Sequence, residues 1–157
     1  MRPLTLIPTT LALAATLASC APAATSTPSW ADRTFAPGQK WVVEAVNGNA
    51  VDTVTLVLGR KEMTGRVIHY VSTQGDQNAV LNHSPANSYG YSEAIDVIWN
   101  SSAFAKGDRF CTVLNPSAAS DPRNFSGRYA WSAARAVAYA KDGSTEGTST
   151  CTLKRVE

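Results

Sequence analysis

Trp41, Val43 and Ala45 fall on one face of an extended chain, Val54, Leu56 and Leu58 fall on one face of the next stretch, and Asn47-Gly48-Asn49 separates the two. A side-chain period of two belongs to a strand, not to an amphipathic helix. Asn-Gly between two such runs is a tight-turn signal, because its residues tolerate the positive φ that the turn demands. The pair therefore reads as a β-hairpin, and the same alternation with turn residues recurs to the end of the chain.

After a turn expected at Gly59 to Met63, a third strand runs from Thr64 to Ser72, with Ile68 and Tyr70 opposite Val67, His69 and Val71. Gln74-Gly75-Asp76-Gln77 turns into a short strand at Asn78 to Asn82, and His83 to Ser92 reads as a loop. Glu93 to Asn100 sets Ile95, Val97 and Trp99 against Ala94, Asp96 and Ile98. Arg109 to Leu114 places Cys111 and Val113 on one face, and Thr150 to Val156 does the same for Cys151 and Leu153. Phe125 to Ala140 alternates large and small residues, and the unbroken aromatic alternation favours a strand. Its alanines also suit a helix near 130–140, capped at Gly143. The fold class expected is mainly β, a small antiparallel barrel or sandwich of seven to eight strands, the alternative being α+β. In a simple meander the connections at 59–63, 83–92 and 115–124 share one end, so the longest loops gather at a single mouth, where binding groups tend to sit.

The 157 residues suffice for one domain; 44% hydrophobic and 17% charged content is that of a globular chain, and a formal charge of +2 leaves no electrostatic footprint for nucleic acid. The amino-terminal segment is different in kind. Arg2 precedes an apolar run from Leu4 to Leu17, shorter than the ~20 residues that span a bilayer, and the small residues Ala18 and Ser19 precede Cys20. Leu17-Ala18-Ser19-Cys20 resembles the lipobox of bacterial lipoproteins. That resemblance implies a signal peptide at residues 1–19, diacylglycerol on the Cys20 thiol and, commonly, a palmitate-class chain on its amine. The acyl chains bury ~0.8 kcal/mol per methylene, enough for a stable membrane anchor. Ala21 after the cysteine implies the outer membrane where the host has one. Residues 20–34 then read as the lipidated Cys and a Pro/Ala/Ser/Thr-rich tether spanning roughly 20 Å as a coil, and 35–157 as a single β domain. Trp30 would pack on that domain or dip into the membrane interface.

With Cys20 taken by lipid, Cys111 and Cys151 have only each other, and an exported chain meets an oxidising compartment, so a Cys111–Cys151 disulfide is expected. In flat sheet geometry their strands would be second neighbours, near ~10 Å apart, too far to bridge. Either the sheet curves tightly, or 125–140 does not lie between them.

Catalytic and cofactor signatures are missing from the sequence: there is no His-Glu-x-x-His, no Gly-x-Ser-x-Gly, no phosphate loop and no zinc cysteine pair. No cofactor, metal or catalytic residue is therefore expected. His69, Asp76 and His83 form a metal or hydrolytic set only if folding gathers them. Asp96, in an apolar strand, needs solvent or a partner such as Arg66, Arg109 or Arg135. Tyr89 and Tyr91, among Asn, Ser and Gly, have the composition of a binding loop. Gly38-Gln39-Lys40-Trp41 resembles the Gly-x-Trp opening of lipocalin-type barrels, with one residue more between Gly and Trp. The function expected is a membrane-anchored binding module for a small ligand, a glycan or an envelope protein. The alternatives are a structural envelope lipoprotein without a pocket and a hydrolase.

Overall fold

The computed structural model describes residues 29–75, 78–87, 90–100 and 107–157. Signal segment, Cys20, the tether up to residue 28, Asp76 and Tyr89 lie outside the described residues. Eight strands form a closed antiparallel meander: β1 (Lys40–Asn47), β2 (Ala50–Thr64), β3 (Val67–Gly75), β4 (Val80–Ser84), β5 (Ala94–Trp99), β6 (Arg109–Leu114), β7 (Asn124–Ala130) and β8 (Ser149–Arg155). β8 pairs back on β1, with Val43 opposite Leu153, so no described strand is left as an edge. The fold expected from alternation is thus the barrel rather than the sandwich. The expected hairpin keeps its register, with Trp41 opposite Leu56 and Val46 opposite Val51.

Inward residues fill the lumen. Trp41, Tyr70, Leu56, Leu81, Ile95, Phe125, Tyr129 and Leu153 are all essentially buried and belong to one contiguous cluster. Eight strands enclose an interior just wide enough for side chains, and here the aromatics take that space. The indole N–H groups are satisfied at its rims: Trp41 Nε1 donates to Gln39 Oε1 at 3.1 Å and Trp99 Nε1 to Asp52 Oδ2 at 3.2 Å.

Gly59 proves to be a bulge rather than a turn. β2 runs on to Thr64, and the reversal falls at Gly65, whose φ is +61°. The β2–β3 register shifts on both sides of Leu58, and a Cβ at Gly59 would stand 2.6 Å from the Val71 carbonyl oxygen. Glycine lets the strand coil closely over its neighbour there. β4 likewise begins and ends two residues later than expected, which moves His83 from loop to strand.

A short helix α1 (Trp30–Thr34) sits where the sequence suggested tether. Ser29 caps it, accepting from the Asp32 amide while the Asp32 carboxylate accepts from the Ser29 amide. Asp32 also pairs with Lys61, and hydrogen bonds from Lys61 and then Ser29 hold its pKa below the ordinary value. Phe35, at the helix end, packs on Trp41, Tyr70 and Phe125, and Tyr70 Oη donates to the Phe35 carbonyl at 3.2 Å. Trp30 packs on the domain, against His83 and Phe125. The end of the barrel that carries the connections after β2, β4 and β6 is therefore plugged by aromatics, not open as a mouth.

Phe125 to Ala140 is both a strand and a helix. β7 ends at Ala130, and α2 (Ala133–Asp142) follows, with Ser132 at its N-cap and Gly143, at φ +74°, closing it through a bond to the Tyr139 carbonyl. The expectation of a strand through Arg135, Val137 and Tyr139 is corrected. The reason lies on the outer wall, where Ile98, Phe110 and Ala130 align in register across β5, β6 and β7. Covering Ile98 and Phe110 stabilises by roughly 1.5–3 kcal/mol each relative to exposure. A helix can lay Ala136 on that patch, and the four residues form a second small core.

The Cys111–Cys151 disulfide is present, with Cα atoms 5.9 Å apart. β7 does lie between the two strands, so the bond spans second neighbours. Gly127, opposite Cys151, makes this possible: a Cβ there would lie 2.3 Å from the Thr112 carbonyl oxygen of β6. Without a side chain at 127 the wall bends sharply and the two inward cysteines meet inside it.

Candidate functional site

Among the described residues, the histidines do not gather. His69 is on the outer face of β3, where Nδ1 donates to Asn82 Oδ1 at 2.8 Å. His83 points inward from β4 beneath Trp30. The sheet separates them, and no group of three His, Cys, Asp or Glu that could hold a metal occurs among the described residues.

His83 instead belongs to a chain of three polar groups. Its Nε2 donates to Glu93 Oε1 at 3.0 Å, and Glu93 Oε2 accepts from the Ser117 hydroxyl and, at 3.4 Å, from its amide. Burial raises the Glu93 pKa, but the hydrogen bonds from Ser117 and His83 outweigh it and leave the group below its ordinary value. In a nucleophilic triad the imidazole stands between hydroxyl and acid. Here the acid stands between hydroxyl and imidazole, and His83 Nδ1 meets no hydroxyl among the described residues. The chain braces the loop after β4 against the loop after β6, as does the bond from the Asn115 amide to the Glu93 carbonyl.

A concave surface lies outside the lumen, between α2 and the wall. Its volume is about 150 Å³, and Ile98, Phe110, Ala136, Val137 and Ala140 make its apolar lining. Ser84 and Tyr91 reach it from β4 and the following loop, and Asp96 lines it from β5. Of the two tyrosines singled out by composition, Tyr91 is brought to this cleft.

Asp96 is the charged group of the cleft. On the outer face of β5 it stands in register between Asn82 and Thr112. The buried Thr112 hydroxyl donates to its Oδ1 at 2.6 Å. Burial pushes its pKa up, with the Thr112 hydrogen bond opposing. None of the three candidate arginines pairs with it: Arg109 donates to the Gly107 carbonyl, Arg135 donates to the Gly147 carbonyl and lies 4.5 Å over the Trp131 ring, and Arg66 is exposed.

Sequence reading missed Ile98, Phe110, Ala136 and Val137 as a group. The available signal was that β5 is apolar on both faces except at Asp96, which marks a strand covered from outside as well as inside. Comparison with protein-family models, with curated proteins and with solved structures finds nothing that matches this chain. No helix among the described residues is long and apolar enough to cross a membrane.

Proposed function

We propose that this protein is an exported, lipid-anchored binding module, tethered through Cys20, whose small-ligand site is the cleft beneath α2. The cleft carries the binding half of this reading. It is concave, largely apolar and furnished with a few convergent polar groups, Asp96, Tyr91 and Ser84, which is the make-up of a small-molecule site. The side-chain-filled lumen supports an outer site over a lipocalin-like inner one. Leu17-Ala18-Ser19-Cys20 carries the anchoring half, and the disulfide fits an oxidising compartment. α1 docks at the plugged end of the barrel, so on this reading that is the end nearest the anchor.

The same filled lumen supports a second reading, a structural envelope lipoprotein that needs no ligand. Mass spectrometry of the mature protein from its own host decides between them. The expected result is a first residue Cys20 carrying diacylglycerol, together with a non-covalent mass lost on denaturation and lost when Ala140→Trp fills the cleft. An unmodified amino terminus beyond Cys20 would refute the anchor. A bare chain that cleft-filling leaves unchanged in function would favour the structural role.

A further inference from the structure

Among the described residues the Asp96 carboxylate lacks a counter-ion that its surroundings call for. Thr112, itself 1% exposed, occupies Oδ1. Among the described residues no Lys, Arg or His forms an ion pair with Asp96. Arg128 stands opposite Thr112, one strand farther around the wall. The cleft walls against Asp96 are Ile98, Phe110 and the alanines and valine of α2. A carboxylate between apolar walls, satisfied at one oxygen by a neutral hydroxyl, favours a cation that brings its own donors. An anion meets repulsion there, and a neutral molecule gains apolar burial and hydrogen bonds without the charge pairing. The volume adds a scale: an open cleft of about 150 Å³ accommodates a body the size of one aromatic ring.

Resting on the cleft as the ligand site, we infer that its occupant is a small protonated amine on an apolar body of about one ring, with the ammonium on Asp96 and the body between Ile98, Phe110 and Val137. Tyr91 and Ser84 offer hydroxyls at the rim for a second polar group of such a ligand.

The test uses the mature, disulfide-bonded protein in lipid nanodiscs and three probes of one shape: benzylamine, benzyl alcohol and benzoate. Methyl NMR signals of Ile98 and Val137 report occupancy. Benzylamine is expected to saturate those signals with an affinity at least about tenfold higher than benzyl alcohol, and benzoate to leave them in place. Asp96→Asn, which keeps an acceptor for Thr112, is expected to bring benzylamine down to the alcohol, and Ala140→Trp to abolish both. Equal affinities for amine and alcohol, unchanged by Asp96→Asn, would overturn the amine assignment while leaving the cleft as the site. No shift from any probe would overturn the cleft reading itself.

Discussion

Gly127→Ala tests how the barrel brings its two cysteines together. The added Cβ would lie 2.3 Å from the Thr112 carbonyl oxygen, 2.9 Å from the Thr112 carbonyl carbon and 3.0 Å from Val113 Cγ2. Two of these are backbone atoms of β6, held in a ladder that pairs Cys111 with Tyr129 and Thr112 with Arg128. No rotamer relieves the contact, so β7 and β6 must move apart, an overpacking strain that costs about 1–3 kcal/mol. Replacing glycine in a strand returns about 0.5–1 kcal/mol through the unfolded chain. The net expected loss is about 1–2 kcal/mol. Opening the angle between β6 and β7 in this way flattens the wall between β6 and β8, where the cysteine Cα atoms are 5.9 Å apart instead of the ~10 Å of a flat sheet. A cross-link with a sequence separation of 40 stabilises by about 4 kcal/mol on loop entropy, so any failure to close it adds to the loss. The assay is urea unfolding with thiol labelling of the wild type, Gly127→Ala, Cys111→Ala/Cys151→Ala and the triple variant. The cost of Gly127→Ala should be larger by about 1 kcal/mol or more when the disulfide is present, which is coupling between neighbours. A fully oxidised Gly127→Ala protein with the wild-type midpoint, or an equal cost in both backgrounds, would refute the reasoning.

Phe35→Ala removes the plug between Trp41, Tyr70 and Phe125 and should cost about 3–5 kcal/mol, read by thermal unfolding, with amide exchange rising in Asp32 to Thr34 as α1 undocks. Glu93→Ala strips the acceptor from buried His83 and from Ser117 and should cost about 1–3 kcal/mol near neutral pH. Because the folded pKa of Glu93 lies below its ordinary 4.5, its contribution is present above that value and fades as pH falls through the folded value, so the gap to wild type should close in acid. Asp96 works in the opposite sense. Its folded pKa lies above the ordinary 3.8, so wild type loses stability as pH rises from there through the folded value. Urea unfolding should find Asp96→Asn at least as stable as wild type near about pH 7, with its relative advantage shrinking in acid; a variant weaker at neutral pH would contradict burial as the dominant cause.

Barrel strands were legible because their chemistry is local. Trp41 to Ala45 and Val54 to Leu58 declare their inward faces by alternation, and a meander needs only that each strand pair with the next. Gly59 and the stretch 125–140 were misread because their roles depend on groups far away in sequence. Gly59 marks a bulge only in light of the Val71 carbonyl against it. Arg135 to Tyr139 alternates like a strand, yet Ala136 is wanted as a helix on Ile98 and Phe110, a patch that exists only once β5, β6 and β7 are aligned. The disulfide partners followed from counting, whereas the route past β7 depended on one missing side chain at Gly127.

The cleft was hidden for a related reason, and the reason bears on where a barrel of this size can hold a ligand. Strands rich in inward aromatics close the lumen: Trp41, Tyr70, Tyr129, Phe35 and Phe125 pack with Leu56, Leu81, Ile95 and Leu153 in one buried cluster. The long loops that sequence reading favoured are then committed to bracing, through His83, Glu93 and Ser117, around the α1 plug. On the proposed reading recognition falls to the outer wall, where a helix laid over a pleated sheet contacts it along a ridge and leaves a hollow beside it. Ala133, Ala136 and Ala140 keep that hollow open because they are too small to fill it, and a β5 residue that points outward into the hollow is polar only at Asp96, between Ala94 and Ile98. A chain that needed only a covered sheet would be better packed with leucine at those alanine positions and an apolar residue at 96. On the proposed reading, small residues above and a carboxylate below that has no ion-pair partner among the described residues favour a site over a seam, and Asp96→Leu with Ala140→Leu is the sequence this wall would carry if stability were its sole purpose.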